Sequence, residues 1–338
     1  MKISENVSLK KYNTFGVDAS ARYFAEVHSD DEMNGILGDS IFKNEKKLFL
    51  GGGSNILFTQ DFNGLIVKIS TRGNRVVEED DKNVLVESHA GEKWNDFVTY
   101  CVEKDFYGVE NLSLIPGTVG AAPIQNIGAY GAEIKDVFHS LQGIDLLTGE
   151  IKNFNRHDCR FDYRDSIFKK KQKDEFLITK VILRLGKVKK FNLNYRAFTS
   201  YLKTDDHNKL SLREVSELVK RIRRDKLPNP KKFGNAGSFF KNPEVDLNKI
   251  NELQAKFEDL VHFKVSENKF KISAGWLIEK SGYRGKNIGQ VGTFKKQALV
   301  IINLGGATGL EIKKFSENIQ SAVYNKFGVQ LTPEVNIY

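Results

Sequence analysis

Apolar positions in the N-terminal half of the chain alternate between the two-residue period of strands and the 3.6-residue period of helices. Strands are predicted at Arg22–Val27, Leu65–Ser70, Asn83–Gly91 and Asp174–Leu185, and within Lys47–Phe58, where the strand runs into a triple-glycine turn. Ser29 and the acidic residues after it predict the start of a helix. This order of elements favours a mixed fold of helices and strands.

Two local patterns in the same half are more specific. One helical face within Glu92–Lys104 collects Trp94, Phe97, Val98, Cys101 and Val102. A hairpin is predicted after it, with its turn at Thr148 and Gly149.

The polar segment Thr204–Leu210 interrupts this pattern, and we place a domain boundary there. Beyond it, a helical stripe predicts a helix, Gln297–Asn303 predicts a strand, and a last helix is expected to end at Gly328 before a short terminal strand. The stripe consists of Leu212, Val215, Leu218, Val219 and Ile222, and the last helix carries Ile312, Phe315, Ile319, Ala322 and Val323. No internal repeat is evident.

Two glycine-rich segments lie in the N-terminal half, about 60 residues apart: Gly51–Asn55 and Ile115–Pro123. Glycine lets a backbone approach a phosphate closely, so that successive N–H groups can converge on the anion. Neither segment matches G-x-G-x-x-G, and no P-loop motif occurs, which disfavours an ordinary Rossmann or P-loop site. Tight turns explain either segment alone, whereas the pair favours one dinucleotide that spans both.

Composition and charge narrow the class of protein. The 338 residues are 40% hydrophobic, enough to bury a core, and carry a net charge of +9. Basic runs at Lys169–Lys173 and Arg221–Lys226 admit nucleic-acid binding, but 43 acidic residues are interleaved and no nucleic-acid-binding motif accompanies them. We favour a pocket for an anionic small molecule.

Other residues predict little further chemistry. Cys101 and Cys159 lie far apart, outside any metal-binding spacing, and are expected to be reduced structural thiols. The histidines are scattered singly, so no metal site is expected. Apolar runs fall well short of the roughly 20 residues that span a bilayer, and the N-terminus lacks the apolar core of a secretory signal. We therefore expect a cytoplasmic protein.

Several motifs together resemble the UDP-N-acetylenolpyruvoylglucosamine reductase family, flavoenzymes that complete UDP-N-acetylmuramate for peptidoglycan. They are NTFG (Asn13–Gly16), GGGSN, the stretch Glu110–Glu133, FDYRDSIFK (Phe161–Lys169), DKLPNP (Asp225–Pro230), GNAGSFFKNP (Gly234–Pro243) and the terminal LTPEV. They follow the family's order from Asn13 to Val335. The stretch Pro123–Gly131, with the segment around Tyr195, is similar to the longer, type I subclass, which has an extra tyrosine loop over the substrate.

The resemblance implies an α+β fold: a two-lobed FAD-binding domain of the vanillyl-alcohol-oxidase type and a C-terminal α/β substrate-binding domain. We assign residues 1–70 to the first FAD lobe, 71–205 to the second and 206–338 to the substrate domain, with the FAD domain proper at about 17–187. The last strand is expected to return toward the active site.

The resemblance also implies the ligands. FAD would bind non-covalently, NADPH would deliver the hydride at the site that the UDP-sugar substrate later occupies, and the protein would be a monomer. The FAD contacts implied are Gly51, Gly52, Gly53, Ser54, Asn55, Ile115, Pro116, Gly117, Thr118, Gly120, Ala121, Gln125, Asn126, Gly128, Ala129 and Tyr130. The substrate contacts implied are Tyr163, Tyr195, Lys226, Asn242 and Gln297.

Three catalytic residues match the family: Arg164, Ser238 and Glu334. Reduction of an enolpyruvyl ether needs a hydride at one alkene carbon and a proton at the next, while a cation steadies the charge that spreads into the carboxylate. A guanidinium such as Arg164 can hold a carboxylate through two hydrogen bonds, although on sequence alone it could pair with Asp165. Ser238 is the implied proton donor, although on sequence alone a turn or cap hydroxyl explains it better.

Two alternatives stay open at this point. An FAD-dependent oxidase of the same fold, acting on an alcohol or a sugar, would use the same glycine loops, but no His or Cys stands in a recognisable covalent-flavin setting. A basic nucleic-acid-binding module would use the charge.

Overall fold

A computed structural model gives the fold of residues 2–170, 172, 174–202 and 209–338. The helices are α1 (Asp30–Gly38), α2 (Ser40–Asn44), α3 (Trp94–Glu103), α4 (Arg196–Thr199), α5 (Leu212–Lys226), α6 (Leu247–Lys256), α7 (Ala274–Lys280) and α8 (Gly309–Phe327). The strands are β1 (Ser4–Ser8), β2 (Ser20–Val27), β3 (Lys47–Leu50), β4 (Ile56–Leu57), β5 (Phe62–Ile69), β6 (Asn74–Glu79), β7 (Asn83–His89), β8 (Gly128–Ala129), β9 (Ala132–Glu133), β10 (Phe138–Asp145), β11 (Ile151–Asn155), β12 (Phe176–Gly186), β13 (Glu244–Asp246), β14 (His262–Ser266), β15 (Lys269–Ile272), β16 (Asn287–Ile288), β17 (Val291–Phe294), β18 (Gln297–Asn303) and β19 (Asn336–Ile337).

The chain forms two compact units whose segments are interleaved in sequence. Unit 1 comprises Met1–Val7, Ala21–Gly52 and Asn63–Asp225, and unit 2 comprises Ser8–Ser20, Gly53–Phe62 and Lys226–Tyr338. The predicted boundary near Thr204–Leu210 lies mostly in residues 203–208, outside the described residues, so the domain limits stay a prediction.

Unit 1 contains two main sheets. One has the strand order β1-β2-β5-β3, with β3 and β5 parallel. The other is an antiparallel sheet in the order β11-β10-β12-β7-β6. Helix α3 buries Trp94, Phe97, Val98 and Cys101 in the same core as the inward face of the second sheet. The helical face predicted from the sequence is thus confirmed, except that Val102 is only partly buried.

Unit 2 is built around one apolar core that collects residues distant in sequence. Phe15, Phe239, Phe240 and the inner face of α8 belong to it. Two small sheets, in the orders β13-β15-β14 and β16-β17-β18, and the parallel pair β4 and β19 make up the strands of this unit. The predicted last helix is confirmed as α8, and it ends at Gly328, which has φ 63°.

Both cysteines are confirmed as free and buried. Burial raises the pKa of Cys159 to about 12 and raises that of Cys101 well above its usual value. No group of three or more His, Cys, Asp or Glu side chains suited to a metal ion occurs among the described residues. In the same residues, every helix is too short or too polar to cross a bilayer.

Gly309, the first residue of α8, offers a test of the packing in unit 2, because a side chain there would collide with the backbone carbonyl of Phe58. We expect Gly309→Val to lower the free energy of unfolding by about 1–3 kcal/mol, the cost typical of overpacking. Urea unfolding followed by circular dichroism measures it. Gly38→Ala, at an open position of α1, is the matched control and should change the value by less than about 1 kcal/mol. Equal stability of both variants would contradict this packing.

Candidate active site

The two predicted glycine loops meet within unit 1. A side chain on Gly52 would place its Cβ 2.9 Å from the Cα of Gly117, and one on Gly51 would collide with the hydroxyl of Thr118. Glycine is therefore needed here for loop-to-loop contact, in addition to any contact with a ligand. Segments about 60 residues apart in sequence thus form one surface.

The backbone of the first glycine loop fits a phosphate ligand. Gly52, Gly53 and Ser54 follow the end of β3, and none of their N–H groups donates a hydrogen bond to another residue that the structure describes. Consecutive N–H groups in an uncharged loop are the usual partners of a nucleotide pyrophosphate. The residues present therefore fit the FAD that the sequence predicts.

Two residues of the second glycine segment are engaged by the protein itself. Gly120 is buried, donates its N–H to Ala90 at 2.8 Å and leaves no room for a side chain beside Ala90. The Asn126 side chain donates to Glu133 at 3.1 Å and to the carbonyl of Asp162 at 2.9 Å, and it accepts from the N–H of Lys135. The side chain of Asn126 is thus a structural link to the segment that carries Arg164, and its predicted FAD contact stays a prediction.

Tyr130 lies at the end of this segment, in an aromatic cluster. Its ring is 5.7 Å from that of Tyr195 and 5.8 Å from that of Phe198. Burial raises the pKa of its phenol, and the positive charge of Arg223 opposes that rise. Tyr195 is 45% exposed at the start of α4. Tyr130, predicted to contact FAD, is therefore placed beside a residue predicted to contact the substrate.

A tight turn presents Tyr163 and Arg164. Asp162 and Asp165 exchange two backbone hydrogen bonds of 3.1 and 3.2 Å across the turn, and Arg164 takes φ 51°. The Arg164 guanidinium donates to the carbonyl of Gly128 at 2.6 Å and lies 5.4 Å from the Tyr163 ring centroid. The alternative partner, Asp165, has its carboxylate 2.6 Å from Lys170.

A second arginine stands near Arg164. The side chain of Arg223, on α5, donates from Nε to the carbonyl of Leu114 at 3.2 Å. Loss of hydration lowers the pKa of its guanidinium, and the charge of Arg164 lowers it further. Within the described residues no carboxylate lies within 4.0 Å of Arg223. This pair of like charges favours an anionic ligand nearby.

In unit 2 the motifs NTFG and GNAGSFF are held together. The Thr14 hydroxyl donates to the carbonyl of Asn235 at 2.6 Å, and the Asn235 N–H donates to the carbonyl of Thr14 at 2.9 Å. The Asn235 side chain accepts from the N–H of Gly237, whose φ is 71°. The turn before Ser238 is thus organised by Asn235.

Ser238 itself bridges Val300 of β18, and both phenylalanines after it are buried in the core. Ser238 is partly buried, and its hydroxyl makes no hydrogen bond to any residue in the described ranges. The turn or cap role that the sequence alone favoured for Ser238 is therefore wrong, because the Asn235 side chain performs that role.

The structure brings Glu334 to the strand segment of Ser238. Glu334 donates its N–H to the carbonyl of Phe239 at 2.8 Å, and Lys241 donates to the carbonyl of Thr332 at 2.9 Å. The carbonyl of Glu334 accepts from the side chain of Asn55 at 3.3 Å. Ser238 and Glu334 therefore lie on paired segments of unit 2, whereas Arg164 belongs to unit 1.

Three of the predicted substrate contacts also belong to unit 2. Asn242 accepts from the N–H of Ala274, at the start of α7, at 2.9 Å, which leaves its amide N–H₂ group without a partner among the described residues. The Gln297 amide oxygen lies 3.1 Å from the Cβ position of Gly275, the next residue of α7. Lys226 is exposed at the end of α5. Asn242 and Gln297 thus converge on one helix end.

The roles of Arg223 and Asn235 were not predicted from the sequence. Arg223 was one of several charges in a basic run, but it continues the spacing of Val215 and Val219 on the inner face of α5, and that register was the available signal. Asn235 stands two residues before a glycine, a spacing typical of an Asx turn.

Comparisons with known proteins identify the family. The family model for the C-terminal domain of UDP-N-acetylenolpyruvoylglucosamine reductase matches residues 229–338, and a model described as an FAD binding domain matches residues 21–155. The chain is similar to the UDP-N-acetylenolpyruvoylglucosamine reductases of Flavobacterium johnsoniae, at 47% identity over all of both chains, and of Pseudomonas aeruginosa, at 45% identity over 100% of this chain and 99% of that one.

A crystal structure of UDP-N-acetylenolpyruvylglucosamine reductase from Thermus caldophilus shares the fold. It has a TM-score of 0.70 at 20% identity and aligns with 100% of this chain and 99% of its own. The predicted fold class and the FAD cofactor are confirmed, and the protein is an FAD-dependent oxidoreductase. The chain belongs to the UDP-N-acetylenolpyruvoylglucosamine reductase family.

Proposed function

We propose that this protein reduces UDP-N-acetylglucosamine enolpyruvate to UDP-N-acetylmuramate, a peptidoglycan precursor, with NADPH as the reductant. Relatives of that name over the full chain and the FAD-binding domain support the proposal. The same findings disfavour the oxidase and the nucleic-acid-binding module. The monomeric state and the cytoplasmic location stay predictions.

The reaction adds a hydride and a proton across the enolpyruvyl double bond. When bound, FAD that NADPH has reduced supplies the hydride. The substrate carboxylate then takes up negative charge, and a proton must reach the adjacent carbon. The side chains of this protein must therefore steady the carboxylate and deliver the proton.

One observation best supports this function: the hydroxyl of Ser238 makes no hydrogen bond within the described residues. Ser238 is partly buried and its hydroxyl has no hydrogen-bond partner among the described residues, so the hydroxyl proton is not committed to a turn or a cap. We assign it as the proton donor. A free hydroxyl is a weak acid, so donation must be coupled to the charge that develops on the substrate.

Arg164 and Glu334 have the other two catalytic roles. We assign Arg164 to the substrate carboxylate, since a guanidinium stabilises the developing charge most when both of its parallel N–H groups are used. The turn at Asp162–Asp165 and the bond to Gly128 hold this side chain in place. Glu334 is assigned a catalytic role from the family motif, supported by its pairing with the strand of Ser238.

We assign diphosphate binding to Lys226, Asn242 and Gln297, because ammonium and amide groups are suitable donors to phosphate. Tyr195 is assigned as a further nucleotide contact and Tyr163 as the neighbour of Arg164. NADPH and the substrate would use the same groups in turn. We therefore expect the enzyme to show ping-pong kinetics and inhibition by excess substrate.

Ser238→Ala tests the proton donor. We expect it to leave the reduction of bound FAD by NADPH nearly unchanged and to slow reoxidation by the enolpyruvyl substrate at least about 100-fold, since a positioned acid contributes this much or more. Stopped-flow flavin absorbance separates the two half-reactions. Ser281→Ala, which removes a hydroxyl at the end of α7, is the control and should alter neither half-reaction. Equal slowing of both halves by Ser238→Ala would refute the assignment.

Arg164→Lys tests the carboxylate contact. A lysine keeps the positive charge but cannot form two parallel hydrogen bonds, so reoxidation by substrate should slow at least about tenfold while reduction by NADPH is preserved. Stopped-flow measurement of both halves again applies. Arg224→Lys, an exposed change on α5, is the control. Unchanged reoxidation in Arg164→Lys would contradict the role.

A further inference from the structure

Leu114 has an unfavourable backbone conformation immediately before the second glycine loop. Its φ is 58°, in the left-handed region. This region is unfavourable for a residue with a Cβ, because the Cβ approaches the following carbonyl. Ile115, Pro116, Gly117 and Thr118 follow directly, so the direction of this loop depends on Leu114.

Side chains from two helices hold both backbone polar groups of Leu114. The Asn95 side chain, on α3, accepts the N–H of Leu114 at 2.8 Å. Arg223, on α5, donates from Nε to the carbonyl of Leu114 at 3.2 Å. These bonds compensate for the unfavourable conformation, since a backbone polar group without a partner would add a further free-energy cost.

The residues on either side of Leu114 are fixed in the same way. The Ser113 hydroxyl donates to the carbonyl of Glu110 at 2.7 Å, so in the 2.8 Å contact between Ser113 and Ser216 the donor is Ser216. Both serines are buried. Trp94 donates from its indole to the carbonyl of Leu112 and from its backbone to that of Gly117. Helices α3 and α5 therefore support this segment on both sides of Leu114.

The other end of the loop has no free space to absorb a change at Leu114. Gly117 and Thr118 pack directly on Gly51 and Gly52. A rotation of Leu114 out of the left-handed region would therefore move the loop away from its contact with the first glycine loop.

We propose that Asn95 and Arg223 act as positioning residues that clamp Leu114 in its left-handed conformation and thereby fix Ile115–Thr118 in the orientation that binds FAD. The inference rests on the proposed assignment of the two glycine loops to FAD. Neither helix needs to contact the cofactor for this effect.

Asn95→Leu tests the clamp, because leucine has a similar size and no acceptor. The rate of FAD release and the affinity for FAD are measured on the purified holoenzyme by the rise in flavin fluorescence after dilution. Loss of this partly buried hydrogen bond to the Leu114 N–H, about 1–3 kcal/mol, corresponds to FAD binding that is about 5- to 150-fold weaker. Asn95→Asp keeps the acceptor and should retain the affinity. Asp96→Asn, one residue further along α3 and exposed, is the matched control. Equal FAD loss in all three variants, or none in Asn95→Leu, would overturn the proposal.

A change at Leu114 separates the clamp from a general effect on stability. Glycine enters the left-handed region freely, so Leu114→Gly in the Asn95→Leu background should recover at least half of the lost affinity on a logarithmic scale. Leu114→Val in the otherwise unchanged protein should weaken FAD binding, and Leu114→Gly should not. Failure of the rescue, or equal effects of valine and glycine, would overturn the clamp even where Asn95→Leu does not fold.

Gly52→Val distinguishes failure of the clamp from failure of the FAD assignment. A valine there would separate the two glycine loops. If Gly52→Val binds FAD normally, the assignment of these loops to FAD is wrong. If Gly52→Val loses FAD while Asn95→Leu retains it, the loops bind FAD and only the clamp is refuted.

Discussion

The direct contact between the two glycine loops is the constraint on which unit 1 depends. Gly51 and Gly52 must lack side chains for Gly117 and Thr118 to approach. That approach fixes the position of the loop Ile115–Thr118 relative to the end of β3. It also brings the uncharged backbones of the two loops together. The packing contact and the proposed binding of a phosphate therefore require the same residue type at the same positions.

Several residues expected to touch a ligand are also part of the framework that holds others. Asn126 links its own loop to Asp162 and so supports the turn of Arg164. Asn242 uses its amide oxygen at the start of α7 and keeps its N–H₂ group. Because one side chain can serve both purposes, a motif residue does not by itself distinguish a ligand contact from a supporting one.

Local patterns in the sequence were sufficient for most of the longer helices and strands and insufficient for the short ones and for how the elements assemble. The apolar stripe of α8 and the glycine at its end define that helix, since period and cap act within a few residues. The allocation of residues 8–20 and 53–62 to unit 2 depends on pairings such as Thr14 with Asn235 and β4 with β19. Partners some 220 residues apart in sequence leave no periodic signal, so no local pattern could predict them.

The site shows the same limit at single residues. The sequence around Leu114 does not distinguish it from an ordinary loop leucine. Its left-handed conformation is held by hydrogen bonds with Asn95 and Arg223, which lie elsewhere in the chain. Ser238 shows the reverse case. Its neighbours suggested a hydroxyl that stabilises a turn, but the Asn235 side chain already makes the hydrogen bond of that turn. The Ser238 hydroxyl therefore has its proton available for another acceptor. The Ser238 backbone pairs with Val300, but its hydroxyl makes no hydrogen bond within the described chain, and a chemical role is therefore the better explanation for the hydroxyl.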